Sequence, residues 1–142
     1  MKTILVIHGP NLNMTGIREP EIYGEKTLSD INDMIKERAD KLGIEVEFYQ
    51  SNCEGSIIDK IHSAYNNKDG IIINPGAYSH YSLAIADALR SVNIKTVEVH
   101  ISNVFKREAA RCEMVTANAA DTVIAGAGVY SYILALEALL NA

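Results

Sequence analysis

The segment that decides the fold is the apolar run Ile4-Leu-Val-Ile7, followed by the loop His8-Gly-Pro-Asn-Leu-Asn-Met-Thr-Gly-Ile-Arg-Glu-Pro-Glu-Ile-Tyr-Gly24. A continuous apolar run predicts a parallel strand buried on both faces, here over residues 3–7. Glycine and proline interrupt the loop too often for a helix or strand. Loops of this length in compact domains are typically lids or binding loops. Because this loop leaves the carboxyl end of a buried strand, we expect it to form part of a ligand site.

The composition is that of one ordinary globular domain, and we expect residues 1–142 to form it. The chain has 142 residues, of which 48% are hydrophobic and 22% charged, and its net charge is −5. With no basic stripe, nucleic acid and acidic membrane surfaces are poor partners. Two cysteines in no disulfide or CxxC pattern, and an amino-terminal apolar run too short for a signal peptide, predict a cytoplasmic protein.

Apolar periodicity predicts five strands alternating with helices. A capping box at Thr27 and Asp30 begins the first helix, and Gly43 ends it. The strands are predicted at residues 3–7, 44–49, 70–73, 96–101 and 121–125. Further helices are predicted at 54–65, from about 79, at 106–112 and at 129–141. This alternation indicates an α/β fold with a flavodoxin-like, doubly wound parallel sheet of order 2-1-3-4-5.

The predicted sheet gathers histidines at its carboxyl edge. Three of the four histidines, His8, His80 and His100, fall at or just after predicted strand ends. Chance would scatter them, so we interpret the edge as a site. A three-histidine metal centre is conceivable there, but no short metal-type spacing supports it, and we expect no metal.

Two pairs near this edge could perform acid–base chemistry. Glu98 and His100 are two residues apart on a strand and so share a face, where the carboxylate could orient the imidazole and favour its protonated form. His80 and Asp87 are seven apart on the predicted third helix, two turns along one face. Alternatively, the first pair is a solvated ion pair and the second an exposed polar stripe.

The loop after the first strand carries Arg18 and Tyr23. A phenol ionises near pH 10, so a tyrosine acting as a base near pH 7 needs about 4 kcal/mol of selective stabilisation. A nearby guanidinium is the obvious source. Without other information, packing is the more common role of such a tyrosine.

Familiar motifs are missing from the chain. It contains no GxGxxG, Walker loop, HExxH or GxSxG sequence, and Asn74 stands where a receiver domain would carry an aspartate. No lysine stands at a strand's carboxyl end, which disfavours Schiff-base chemistry.

Five blocks in register resemble type II 3-dehydroquinate dehydratases. They are His8-Gly-Pro-Asn-Leu-Asn13, Arg18-Glu-Pro20 with Tyr23-Gly24, Gln50-Ser-Asn52 with Glu54-Gly55, Asn74-Pro-Gly-Ala-Tyr-Ser-His80, and Glu98-Val-His-Ile-Ser-Asn-Val104. The resemblance spans nearly the whole chain. It implies a flavodoxin-like fold that dehydrates 3-dehydroquinate to 3-dehydroshikimate through an enolate, without a cofactor, in a homododecamer.

The resemblance also implies roles for individual residues. Tyr23 would be the base, Arg18 would stabilise its tyrosinate, Asn11 would hold the enolate, and His100 would protonate the leaving hydroxyl. The implied substrate-binding residues are Asn74, His80, Asp87, Ile101, Ser102 and Arg111, with Asp87 reaching a neighbouring subunit's site and the backbone N–H groups of Ile101 and Ser102 binding the carboxylate.

One segment departs from the family pattern, and two other functions stay open. Where the family usually has a histidine and a serine after Arg111, this chain has Cys112-Glu113-Met114, and a glutamate beside a carboxylate-binding arginine could weaken affinity. The chain could instead be a homologue that lost activity. It could also be a flavodoxin-like module for FMN or another phosphorylated ligand, although its first loop is poor in the serine, threonine and glycine that phosphate favours.

Overall fold

The computed structural model describes residues 1–17, 21, 25–109 and 113–141. Its five strands are β1 (Lys2–His8), β2 (Ile44–Gln50), β3 (Gly70–Asn74), β4 (Lys95–His100) and β5 (Thr122–Ala125). The α-helices within the described residues are α1 (Leu28–Leu42), α2 (Glu54–Ser63), α3 (Leu83–Val92) and α4 (Tyr130–Asn141). All strand pairs are parallel and the order is β2-β1-β3-β4-β5, which confirms the predicted topology.

Alternation along the buried strands divides the core into two layers. Ile4 and Val6 of β1 face α1 and α4, whereas Leu5 and Ile7 face α2 and α3. The β1–β3 register pairs His8 with Asn74, so both residues continue the row that faces α1 and α4. On β4, Val97 and Val99 belong to that same layer.

The first helix begins and ends where its sequence predicts. The Thr27 side chain accepts from the Asp30 backbone N–H at 3.2 Å, and the Asp30 carboxylate accepts from the Thr27 N–H at 3.0 Å. Gly43 closes the helix with a φ of 72°, a conformation that glycine adopts without strain.

Two predicted helices are wrong in their bounds. Residues 76–80 form a 3₁₀ turn, and α3 begins only at Leu83 because the Ser82 side chain accepts from the Ile85 N–H and caps it. The helix predicted at 106–112 is replaced, within the described residues, by a 3₁₀ turn at Val104–Lys106, after which Arg107 is extended. Residues 110–112 lie outside the described part of the chain.

Candidate active site

A cavity lies at the carboxyl ends of β1, β3 and β4. Six of the predicted site residues line it, namely Asn11, Asn74, His80, His100, Ile101 and Ser102. The parallel sheet brings them together because each follows or ends a strand whose carboxyl end lies at this edge. The structure therefore gathers most of the described candidates into one concave site.

Asn11 occupies a left-handed conformation with a φ of 68°. Its backbone N–H donates to Asn52 Oδ1 at 3.0 Å, and Gln50 Nε2 donates to the same oxygen at 3.1 Å. Asparagine tolerates this region better than most residues. The end of β2 thus holds the Asn11 backbone in place beside the cavity.

The loops after β1 and β3 pack against each other without space for a side chain at Gly9. A Cβ there would lie 2.7 Å from the backbone of Pro75, and the Gly9 N–H donates to the Asn74 carbonyl at 2.7 Å. This close contact fixes the distance between the loop that carries Asn11 and the loop that follows Asn74.

Backbone N–H groups of the loop after β1 are used within the protein. Besides those of Gly9 and Asn11, the N–H groups of Leu12, Met14 and Thr15 donate to carbonyls three residues earlier. A phosphate cradle needs such groups directed at the ligand. Among the described residues, this loop therefore lacks the arrangement expected for FMN.

His100 is paired with a carboxylate that is fully buried. Its Nε2 lies 2.8 Å from Glu98 Oε2, and Glu98 is 0% exposed. The hydroxyl of Thr116, also buried, donates to the other Glu98 oxygen. The two contacts hold the carboxylate in place. Because Nε2 contacts Glu98 Oε2, Nδ1 is the imidazole nitrogen that does not contact this carboxylate. This arrangement confirms the predicted proximity of Glu98 and His100.

His80 lies beside His100, and Asp87 lies elsewhere. The two imidazole centroids are 6.5 Å apart, and His80 Nδ1 donates to the Glu113 carbonyl at 2.6 Å. The prediction that His80 and Asp87 share a helical face is wrong, because the Ser82 cap starts α3 after His80. Asp87 is exposed, pairs with Arg90 at 3.3 Å and does not line this cavity.

The described residues that line the cavity include one arginine, Arg107, which sequence reasoning did not select. Its position four residues before Arg111 was the available signal. Arg18, Tyr23, Arg111 and Cys112 lie outside the described residues, so their predicted roles stay predictions.

His8 has a different environment from the one predicted for a site histidine. It is 0% exposed, its Nδ1 lies 3.1 Å from the Tyr132 hydroxyl, and its Nε2 lies 2.8 Å from Asn32 Oδ1. Burial lowers the pKa of His8 to about 4, opposed by the hydrogen bond to Asn32. With both ring nitrogens occupied, His8 is not positioned for a three-histidine metal centre, and no metal-binding cluster of His, Cys, Asp or Glu occurs among the described residues.

None of the helices in the described ranges is long and apolar enough to cross a bilayer.

Comparison with known proteins gives consistent matches along the chain. Residues 2–140 match the family model described as dehydroquinase class II. The chain is 61% identical to a 3-dehydroquinate dehydratase of Caldanaerobacter subterraneus over 98% of its own length and 94% of the relative's. It is 57% identical to one from Clostridium acetobutylicum, over 97% and 96% of the two lengths.

A solved structure matches the fold as closely. The type II dehydroquinase from Butyrivibrio crossotus superposes with a TM-score of 0.97 at 54% identity, covering 99% of this chain and 98% of that one. The family resemblance and the strand order are thus supported by independent sequence and structural comparisons.

Proposed function

The chain belongs to the class II dehydroquinase family, and from this premise we propose that it dehydrates 3-dehydroquinate to 3-dehydroshikimate. This conclusion rests on identities of 61% and 57%, over nearly the full length of the chain, to proteins named 3-dehydroquinate dehydratase. The reaction removes a proton next to a ketone and a hydroxyl one carbon further, so it needs a base, an acid and donors for the enolate oxygen.

His100 is proposed as the acid that protonates the leaving hydroxyl. The Glu98 carboxylate lies 2.8 Å from His100 Nε2 and accepts a hydrogen bond from Thr116, so it holds the imidazole in one orientation at the cavity. Because Nε2 faces Glu98, the proton for the hydroxyl comes from Nδ1. The position of His100 in the cavity wall supports this role.

Tyr23 is proposed as the base and Arg18 as the group that lowers the energy of its phenolate. Both roles rest on the family resemblance, since the two residues lie outside the described part of the chain. Proton removal by Tyr23 gives an enolate, which Asn11 stabilises from the end of β1. Loss of the hydroxyl with the proton from His100 then gives the conjugated enone.

The remaining cavity residues are proposed to bind the anionic substrate. Arg107 and Arg111 supply cationic groups for its carboxylate, together with the backbone N–H groups of Ile101 and Ser102. Asn74 and His80 offer hydrogen bonds to its hydroxyls. This assignment is supported by the position of these residues around one cavity. Arg111 lies outside the described residues, and its role rests on the family resemblance.

Assembly and location are also proposals. We expect one catalytic domain over residues 1–142, a homododecamer in which Asp87 reaches a neighbouring site, and residence in the cytoplasm. The exposed position of Asp87 is compatible with a contact to another subunit. No cofactor is assigned to the reaction, because proton transfer alone accounts for it.

The direct test is turnover of 3-dehydroquinate by the purified chain, followed by the ultraviolet absorbance of the enone product. We expect turnover that dialysis against EDTA and treatment with borohydride leave unchanged, since neither a metal nor an imine is used. Absence of enone formation at pH 7 would refute the proposed function, and a flavin absorbance in the purified protein would favour the FMN alternative.

A further inference from the structure

A chain of buried polar side chains lies beneath the cavity, on the face of the sheet covered by α1 and α4. His8 and Asn74 are register partners on β1 and β3, and Tyr132 of α4 contacts both. His8 and Tyr132 are 0% exposed and Asn74 is 4% exposed. Asn74 alone of these three lines the cavity. These hydrogen-bonded side chains therefore connect α4 to Asn74, a residue proposed to bind substrate.

Each hydrogen bond in this chain has one consistent direction. Asn74 Nδ2 donates to the Tyr132 oxygen at 3.1 Å, and Asn74 Oδ1 accepts from the Gly76 N–H at 3.1 Å. Tyr132 then has its hydroxyl hydrogen to donate, and His8 Nδ1 at 3.1 Å is the acceptor. His8 must therefore carry its proton on Nε2, which donates to Asn32 Oδ1 at 2.8 Å.

This pattern determines which way the Asn74 amide is turned. A flipped amide would place two donors, Asn74 Nδ2 and the Gly76 N–H, against each other. With His8 Nδ1 unprotonated, it would also leave the Tyr132 hydroxyl between two acceptors, the amide oxygen and His8 Nδ1. In the observed orientation one Nδ2 hydrogen remains for a ligand. Asn74 is thus presented to the cavity as a donor.

We propose that Tyr132, itself oriented by His8 and Asn32, is a positioning residue that fixes the Asn74 amide as a hydrogen-bond donor to the substrate. This inference rests on the proposed function, because it concerns the substrate of that same cavity. Burial supports it, since an unpaired polar group in this position is unfavourable and the network therefore has few alternative arrangements.

The tautomer of His8 in the unchanged protein is the first test. Long-range proton–nitrogen spectra of the nitrogen-labelled chain at pH 7, assigned with His8→Gln, report which ring nitrogen is protonated. We expect protonated Nε2 and unprotonated Nδ1. Protonated Nδ1 would overturn the proposal, because Tyr132 would then lack its acceptor and would no longer define the amide orientation.

The second test is a double-mutant cycle in kcat/KM. Tyr132→Phe keeps the ring and removes the oxygen, and we expect a loss of about tenfold, mainly through a raised KM, because one hydrogen bond to a buried group is removed. In the Asn74→Ala background the same change should have less than about a twofold effect. Tyr130→Phe, on the exposed side of the same helix, should leave kcat/KM unchanged.

Equal losses in the two backgrounds would overturn the proposal, since they would mean that Tyr132 acts on stability or on another group. If Tyr132→Phe does not fold, Asn32→Ala replaces it, with an expected loss of about threefold that Asn74→Ala also abolishes. No variant would be needed to refute the proposed function, which fails if the unchanged chain gives no turnover. In that case faster hydrogen exchange at the Asn74 amide in Tyr132→Phe would still support the positioning, and unchanged exchange would overturn it.

Discussion

His8 ends β1 and His100 ends β4 at the same edge of the sheet, with β3 between them, but their surroundings differ. His8 faces α1 and α4, and its two ring nitrogens contact neutral groups, the Asn32 amide and the Tyr132 hydroxyl. His100 contacts the Glu98 carboxylate on the other face and lines the cavity. The two histidines therefore differ in their partners, since one contacts two neutral groups inside the protein and the other contacts a carboxylate beside the cavity.

The same contrast holds for two further residues, Tyr132 and Thr116, which contact His8 and Glu98. Tyr132 connects His8 to the Asn74 amide, and its own pKa is raised by burial, so it remains a neutral hydroxyl. Thr116 connects to Glu98 and supplies a hydrogen bond to an acid whose negative charge the mechanism uses. The first network orients the Asn74 amide, and the second orients the His100 imidazole.

Removing His100 should have the largest effect. We expect His100→Ala to lower kcat about a thousandfold, because a positioned acid typically contributes a factor of that order. The variant should still exchange the α proton of 3-dehydroquinate with solvent deuterium, since the base is intact, whereas Tyr23→Phe should not. Proton NMR of the substrate in heavy water measures both. Exchange by Tyr23→Phe but not by His100→Ala would reverse the two roles.

Changing the charge beside His100 comes next. Glu98→Gln keeps the size of the side chain and an oxygen for Thr116, and we expect kcat to fall about a hundredfold because the imidazolium loses its negative partner. Thr116→Val, which leaves the charge, should cost less. Steady-state kinetics on both variants compare charge with orientation, and a larger loss from Thr116→Val would reject this account.

The neutral histidine should instead be visible in the pH dependence of folding. His8 has a folded pKa of about 4, below the ordinary value of 6.5, so the unfolded chain binds the proton first as pH falls. Stability should therefore be full above pH 6.5 and decline towards pH 4, by about 2 kcal/mol between pH 7 and pH 5.

Urea unfolding at fixed protein concentration measures this decline. His8→Gln should flatten it, since glutamine does not titrate. An equally steep decline in the variant would assign the effect to other groups.

The smallest expected effect concerns the loop that carries Asn11. Asn52→Ala removes the oxygen that holds the Asn11 N–H, and we expect kcat/KM to fall about tenfold as the left-handed turn loosens. Asn67→Ala, an exposed asparagine distant from the cavity, is the matched control. Equal activity of the two variants would show that Asn52 does not position Asn11.

The sequence was sufficient for features set by local chemistry. Apolar runs located the buried strands, the Thr27 and Asp30 pair located a helix start, and polar residues at strand ends located the cavity. Each of these depends on residues a few positions apart. The strand order followed from the alternation of strands and helices in a chain of this size.

Sequence reasoning failed where distant or competing contacts decide. The spacing of His80 and Asp87 fits a helix, but the Ser82 cap begins that helix later. His8 looked like a site residue, and only its contacts with Asn32 and Tyr132 show that both ring nitrogens are used inside the protein. The sequence did not predict a positioning role for Tyr132, because a tyrosine on an apolar helix is usually a packing residue.

The buried chain from Asn32 through His8 and Tyr132 to Asn74 has a consequence for the order of folding. Its members come from α1, β1, α4 and β3, and the loop between His8 and Tyr132 includes most of the sequence. Contacts between residues this far apart in sequence form only when their free energy offsets the conformational entropy lost in closing the loop between them. A nascent chain that has already paired β1 with β3 can form the contact between the Asn74 amide and Gly76 but not yet the contact with Tyr132. The donor proposed for substrate is therefore completed only when the carboxyl-terminal helix leaves the ribosome and docks.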